Sequence, residues 1–225
     1  SVADGVSGHV QTLWRLLKQY NVPVFLFINK MDQPGADKEE TLPQLQKRLD
    51  GRCVDFSDLE NFDERLAETD EELLEQFFET GKIRLEHIKK QIKDRKLFPC
   101  YFGSALKMQG ITEFLEGFEM YTTVPVYGDL FGARVFKIAR DAQGKRLTYL
   151  KVIGEEKIDQ IRVYSGASFT SVSEAQPGMV CAVTGLNDTV TGQGLGCEIQ
   201  AQTPILEPVL TYCVSFSPEI DIHEM

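Results

Sequence analysis

The sequence predicts an α/β domain with a parallel sheet, followed by an all-β domain that forms an antiparallel barrel. Two apolar runs, 24–28 and 98–102, each end in a polar segment, as buried parallel strands do when they present binding loops at their carboxyl ends. Apolar residues at helical spacing surround these runs and stop near residue 123. From there on, short β-branched runs separated by turn signals predict strands with little helix between them.

Helices flank the two predicted strands, and this alternation favours a parallel sheet. The stretch 51–68 is acidic and weakly patterned. Thr69 is the expected N-cap of the helix that follows it, because Glu72 stands three residues later, as in a capping box. The predicted helices span about residues 7–19, 37–49, 83–93 and 111–121, and a further one begins near residue 70.

A domain boundary is predicted at about residues 127–128, just after the helical spacing stops. The tail alternates weakly and is expected to be the first strand of a third domain. The absence of an initial methionine suggests a chain cut from a longer one. The expected domains are 1–127, 128–206 and 207–225, and the strands predicted in the second are about 133–138, 147–153, 158–164 and 179–183.

Composition and charge exclude several classes of protein. The chain has 42% hydrophobic residues, no apolar run long enough to span a membrane and no signal peptide, so a globular protein with no membrane partner is expected. Five cysteines without C-x-x-C spacing favour a reducing compartment over a disulfide framework or a zinc site. The net charge of −10 argues against a simple nucleic-acid binder, but residues 131–200 are nearly neutral, with 7 acidic and 8 basic side chains.

The polar segment after the first strand, Asn29-Lys30-Met31-Asp32, can recognise guanine. Guanine offers N1–H and an amino group side by side, and the two oxygens of the Asp32 carboxylate can accept both hydrogen bonds, at about 1.5–3 kcal/mol each. The Asn29 amide can join two loops and meet the five-membered ring, while the Lys30 stem lies along the base. Taken alone, Asp32 is as well explained as a residue that caps a turn or a helix.

The segment after the second strand, Ser104-Ala105-Leu106, strengthens the guanine interpretation, because parallel strands end at one edge of a sheet. The backbone N–H of Ala105 can donate to the guanine carbonyl, and Ser104 can hold the loop. The phosphate-binding pattern G-x-x-x-x-G-K-[S/T] occurs nowhere in the 225 residues. The chain is therefore expected to read the base without supplying the groups that act on the phosphates.

These two loops, in this order on two strands, resemble those of translational GTPases, most closely elongation factor G and the ribosomal-protection tetracycline resistance proteins. The resemblance extends over essentially the whole chain, as the back half of a P-loop GTPase G domain, a second-domain barrel and the start of a third domain. The segments that carry it are 4–6, 27–32, 53–56, 98–105, 135–138 and 146–150, of which the last four look most like the resistance branch.

The resemblance implies a GTP hydrolase that uses GTP with Mg²⁺ in its full-length form, acts on the ribosome in the cytoplasm and is a monomer. The P-loop and switch regions are missing from these residues, so the chain alone is expected to be inactive and to bind no cofactor tightly. The barrel is expected to face small-subunit rRNA and protein, with Lys137, Arg146 and Lys151 as the first candidates for contact. Where Gly154 runs into Glu155 the family normally has another strand, so either the barrel is shortened or a loop is missing.

A second class of function stays open at this point. The chain could be a non-catalytic module that binds the ribosome or a protein through its barrel and uses the Asn-Lys-x-Asp loop only structurally. A phosphate-binding loop and a D-x-x-G motif upstream in the parent gene would favour the GTPase. A nucleotide-binding role for the glycines at 192, 194 and 196 is not expected, because no strand-to-helix pattern follows them.

Overall fold

A computed structural model describes residues 1–128, 130–154 and 161–199 of the chain. It divides the chain into two compact units, Ser1–Val124 and Pro125–Met225, which we describe separately. The expected third-domain strand at 207–225 lies outside the described residues, as does Glu155 at the predicted shortening of the barrel. No helix in the described ranges is long and apolar enough to cross a membrane.

The first unit contains a three-stranded parallel sheet, which confirms the predicted sheet type. Its strands are β1 (Leu26–Ile28), β2 (Cys53–Asp55) and β3 (Phe98–Phe102), in the order β1-β3-β2. β3 is buried on both faces, with Phe98 and Cys100 in one cluster and Tyr101 in another, as a central parallel strand requires. β2 lies in the stretch that looked unpatterned, because three buried residues are too few to show a period.

Six helices pack around this sheet in the described part of the unit. They are α1 (Gly8–Gln19), α2 (Lys38–Arg48), α3 (Phe62–Ala67), α4 (Glu71–Thr80), α5 (Leu85–Lys93) and α6 (Ile111–Tyr121). The prediction that Thr69 caps α4 is wrong. Asp70 is the N-cap and accepts a hydrogen bond from Glu72 N at 3.0 Å, while the Thr69 hydroxyl donates to Leu66 O at 2.7 Å. Aspartate caps as well as threonine, and here it stands one residue nearer the helix.

The described residues of the second unit form a six-stranded antiparallel sheet, which confirms an all-β second domain. The strands are β4 (Gly132–Arg140), β5 (Arg146–Val152), β6 (Ile161–Ser165), β7 (Ser168–Val172), β8 (Val180–Val183) and β9 (Gly194–Gly196). Their order is β7-β6-β8-β5-β4-β9. β7 was not predicted, because its polar sequence SFTSV lacks a buried face. β9 contains two of the three glycines, so part of this motif is a strand in the sheet.

One face of this sheet covers a core and the other is the outer face. Val135, Leu150 and Val183 belong to the buried cluster, so residues one position away along the same strands face outward. The register pairs Arg134 with Lys151 and Lys137 with Tyr149, with a bulge between Val135 and Lys137. The bulge inserts Phe136 and lets both Arg134 and Lys137 stand on the outer face.

Candidate functional site

Two loops meet at the carboxyl edge of the parallel sheet. We call residues 29–32 the Asn-Lys loop and residues 103–109 the Ser-Ala loop. They begin side by side, because β1 and β3 are adjacent and Ile28 pairs with Phe102. Gly103 then donates from its N–H to Ile28 O, and Met31 N donates to Gly103 O, each at 3.0 Å. The sheet register therefore continues into the loops and fixes their relative position.

Asn29 joins the two loops through its side chain. Its carboxamide oxygen accepts hydrogen bonds from Lys30 N at 2.7 Å and from Ala105 N at 2.9 Å, so it connects positions 76 residues apart. The Ala105 N–H, which we expected to donate to guanine, donates to Asn29 in this structure. The hydrogen bond between Asn29 and Ala105 thus links the two loops. Leu106 follows Ala105 in the Ser-Ala loop, and its side chain is 90% exposed.

Asp32, the last residue of the Asn-Lys loop, contacts the Ser-Ala loop and carries a negative charge. A side-chain hydrogen bond with Ser104 is the main reason that the pKa of its carboxyl lies below the ordinary value of 3.8. Lys107 contributes to the same lowering of the pKa, with its Nζ 3.3 Å from Asp32 Oδ2. The Asp32 side chain is 18% exposed, so its oxygens are held in place yet accessible to a ligand. An ionised carboxylate in this position is an acceptor of hydrogen bonds only.

Ser104 holds the Ser-Ala loop closed. It is 1% exposed and exchanges two backbone hydrogen bonds with Gln109, each of 3.0 Å. Its hydroxyl oxygen accepts a further hydrogen bond from Lys107 N at 3.3 Å. A Cβ atom on Gly103 would lie 2.1 Å from Gln109 O, so only glycine fits before this closed turn.

Each loop contains one non-glycine residue in the left-handed region, Lys30 at φ 69° and Met108 at φ 56°. Such a conformation costs about 1–3 kcal/mol and is concentrated at binding and catalytic sites. At Lys30 the Asn29 oxygen stabilises the turn by accepting its N–H. The hydrogen bond to Asn29 therefore fixes the backbone from which the exposed Lys30 side chain extends.

Sequence reasoning missed Lys107 and Gly103 as members of the site. Lys107 follows the predicted segment directly, and a lysine one residue beyond a loop carries no periodic or motif signal. Gly103 was part of the quoted segment, but its close approach to Gln109 depends on a turn that closes through tertiary pairing.

The three basic residues predicted to contact RNA do not share one environment. Lys151 and Lys137 lie on the outer face of the second unit, opposite Arg134 and Tyr149 respectively. Arg146 begins β5, five residues before Lys151, and its guanidinium donates to Thr189 O. The structure therefore places two of the three on one face, and the third donates a hydrogen bond to the backbone at Thr189.

Comparisons with known proteins agree with the architecture. A family model described as the elongation factor Tu GTP-binding domain matches residues 1–124. A curated relative named Elongation factor G, from Mycoplasma genitalium, is 23% identical over an alignment that covers 98% of this chain. A crystal structure of a protein from Thermus thermophilus has a TM-score of 0.72 and 20% identity, and the match covers 90% of this chain and 40% of that one. At 20% identity, the similarity to this solved structure shows the fold alone.

The chain spans 45% of the length of the curated relative. The alignment extends over 313 residues, more than the 225 of this chain, so the relative has segments inside the matched range that this chain lacks.

Proposed function

Since the chain belongs to the family of the elongation factor Tu GTP-binding domain, we propose that its first unit is the guanine-reading part of a translational GTPase that acts on the ribosome. The observation that carries the proposal is the hydrogen bond that Ala105 N donates to Asn29 Oδ1, at a distance of 2.9 Å. It holds the Asn-Lys loop and the Ser-Ala loop against one another, with the ionised Asp32 of the first loop facing the second. Preorganised acceptors of this kind select a ligand by its donors.

Asp32 supplies the discrimination between bases. Guanine brings two adjacent donors to a carboxylate with two oxygens, and charge-assisted bonds of this type are about twice as strong as neutral ones. Lys107 Nζ lies 3.3 Å from Oδ2 and its side chain is 54% exposed, so it can move aside for a base while still balancing the charge. Adenine presents an acceptor at the same edge and would leave the carboxylate without a donor.

The residues of this chain orient the base, while GTP and Mg²⁺ chemistry belongs to the full-length protein. Phosphoryl transfer in this class depends on a lysine and a hydroxyl of the phosphate-binding loop and on Mg²⁺. None of the 225 residues forms that loop. We therefore expect this chain to bind a guanine nucleotide weakly and to release no phosphate from GTP.

The ribosome is the partner that we propose for the second unit, with the cytoplasm as the compartment and the monomer as the working state. Two ribosomal activities are candidates, translocation and protection from tetracycline. The relative named Elongation factor G supports translocation. The segments 53–56, 98–105, 135–138 and 146–150 look most like the resistance proteins and support protection. The full-length protein expressed in a tetracycline-sensitive host separates the two, because only protection raises the inhibitory concentration.

Titration of the isotope-labelled 225-residue chain with 5′-GMP, followed through backbone amide shifts, tests the guanine site. We expect shifts centred on Lys30, Asp32 and Leu106, with a dissociation constant of about 1 mM, since base contacts alone hold the ligand. 5′-AMP is the matched control because it shares the ribose and the phosphate. Equal shifts with both nucleotides, or shifts elsewhere only, would contradict the proposal and favour a purely structural role for the loop.

A further inference from the structure

Four aromatic rings form a continuous stripe across the outer face of the second unit. Phe136 and Tyr149 have ring centroids 6.1 Å apart, Tyr149 and Tyr164 are 5.7 Å apart, and Tyr164 and Phe169 are 5.4 Å apart. The stripe starts on β4 and ends on β7, so it crosses most of the sheet. Phe136 is 45% and Phe169 48% exposed, although burying aromatic rings is favourable. We call these four residues the aromatic stripe.

The strand register explains how the stripe stays continuous. Tyr149 and Arg162 both pair with Ala182, which lies on the strand between them. Ala182 has a small outward side chain and is fully buried, so Tyr149 and Tyr164 can meet above it. Phe136 joins the row because the bulge in β4 inserts it on the outer side. The row is therefore built by three separate features of the sheet.

Positive charge lines the aromatic stripe. Lys137 Nζ lies 5.3 Å from the centroid of the Tyr149 ring, and the Arg162 guanidinium lies 4.6 Å from that of Phe169. Arg134 and Lys151 stand beside them on the outer face. Arg134 is ion-paired with Glu198 and Arg162 with Asp141, so Lys137 and Lys151 supply the net positive charge of this face. The second unit as a whole has 8 Lys or Arg and 12 Asp or Glu over residues 125–225, so the positive charge of this face is local.

An apolar groove continues the stripe at its Phe136 end. It has a volume of about 520 Å³, and Phe136, Ile153 and Val180 form part of its wall. Lys151 and the ion pair of Arg134 with Glu198 also line it. Flat rings, a groove and cations therefore form one connected surface.

We propose that the aromatic stripe binds unpaired bases of a single-stranded RNA segment. Base–aromatic stacking tolerates any sequence because every base has a π face, and basic residues beside the rings hold the backbone. A duplex keeps its bases stacked on each other and offers phosphates alone, so it cannot use the rings. Lys137 and Lys151 beside exposed rings favour RNA as the occupant, because a single strand supplies both phosphates and unstacked bases. The inference rests on the ribosomal part of the proposed function and specifies which RNA feature is contacted.

Fluorescence anisotropy with a fluorescein-labelled single-stranded RNA of eight nucleotides tests the proposal on the 225-residue chain. We expect the single strand to bind more tightly than the same sequence in a duplex. The double variant Phe136→Ala, Phe169→Ala is expected to weaken binding about fivefold or more, and because both rings are half exposed it is expected to fold normally. Phe78→Ala is the matched control, since Phe78 is 78% exposed but lies in the acidic first unit.

The salt dependence gives a second readout. Lys137→Gln is expected to lower the slope of log affinity against log salt by about 0.7, the value for one phosphate of a single strand. No binding of the single strand, equal binding of the duplex, or a double variant with unchanged affinity would each overturn the proposal. A double variant that binds ribosomal protein less well, with RNA affinity unchanged, would assign the stripe to a protein. The GMP-induced shifts at Leu106 are independent of the stripe, so failure here leaves the guanine site unaffected.

Discussion

At Asn29 one carboxamide oxygen accepts two backbone N–H groups, from Lys30 and from Ala105. Asn29→Ala removes the acceptor, so both N–H groups lose their hydrogen-bond partner. The folded state is then destabilised by about 1–3 kcal/mol for each of these N–H groups that water does not reach. We expect GMP binding to fall about tenfold or more and the Ala105 amide to exchange hydrogen faster. Amide exchange and GMP titration measure the two effects. Asn187→Ala, at an exposed asparagine of the second unit, is the control and is expected to change neither.

The lowered pKa of Asp32 predicts how guanine binding depends on pH. A group whose folded pKa is depressed is ionised above its ordinary pKa and loses its charge only as the pH falls through the depressed value. Asp32 has an ordinary pKa of 3.8, lowered chiefly by the hydrogen bond with Ser104. GMP affinity is therefore expected to be flat between about pH 5 and pH 8 and to fall only below pH 4. A midpoint near neutral pH would show that another group carries the recognition.

Among the elements, α6 is held against β3 by a contact that depends on glycine. A Cβ atom on Gly117 would lie 1.8 Å from Tyr101 Oη and 2.6 Å from Cζ. Glycine to alanine normally stabilises a helix by about 0.5–1 kcal/mol, but here the collision is expected to reverse the sign and destabilise by about 1–3 kcal/mol. Denaturant unfolding followed by the fluorescence of Trp14, the single tryptophan, reports on this unit.

Two further variants separate the collision from helix propensity. Gly8→Ala, in α1, meets no atom within 4 Å and is expected to be neutral or slightly stabilising. Adding Tyr101→Phe to Gly117→Ala removes the nearest atom and is expected to recover part of the loss. If Gly117→Ala stabilises the unit as Gly8→Ala does, the packing of α6 on β3 is described wrongly.

Elements with a strong local signal were predicted from the sequence, and those that depend on tertiary pairing were not. The helix over 111–121 and the strand over 98–102 have the bounds expected from their apolar spacing. β2 is buried only because it pairs with β3, and β7 is polar, so neither has a pattern of its own. At the site, the residue types of the two loops were visible in the sequence. The ion pair of Lys107 with Asp32 arises from the closure of the Ser-Ala loop, which the sequence does not show.

At the scale of the whole molecule, both units are acidic. Residues 1–124 contain 22 Asp or Glu and 16 Lys or Arg, and residues 125–225 contain 12 Asp or Glu and 8 Lys or Arg. A phosphate backbone is repelled by this overall charge, so contact with RNA requires a local group of basic residues. We propose Lys137 and Lys151, on the outer face of the second unit, as that group.

Ribosome binding by the full-length protein is expected to separate the three basic residues of the second unit. Lys137→Gln and Lys151→Gln are expected to weaken ribosome binding. Each is also expected to lower the slope of log affinity against log salt, which in the unmodified protein corresponds to roughly two or three neutralised phosphates. Arg146→Gln removes the bond to Thr189 O and is expected to lower stability with little effect on the slope. Lys47→Gln, on α2, is the control in the first unit. Ribosome footprinting that places rRNA on the acidic helices, with the second unit open to solvent, would contradict this assignment.

The measurement that tests the central claim most directly is the base preference of Asp32→Asn. Asparagine replaces one acceptor by a donor, which suits a base with a carbonyl where guanine has its amino group, namely xanthine. We expect GMP affinity to fall about tenfold or more and the variant to prefer 5′-XMP over 5′-GMP, while Asp94→Asn, at an exposed aspartate of the same unit, keeps the preference of the unmodified chain. A variant of Asp32 that still prefers GMP as the unmodified chain does would show that Asp32 only stabilises the loops.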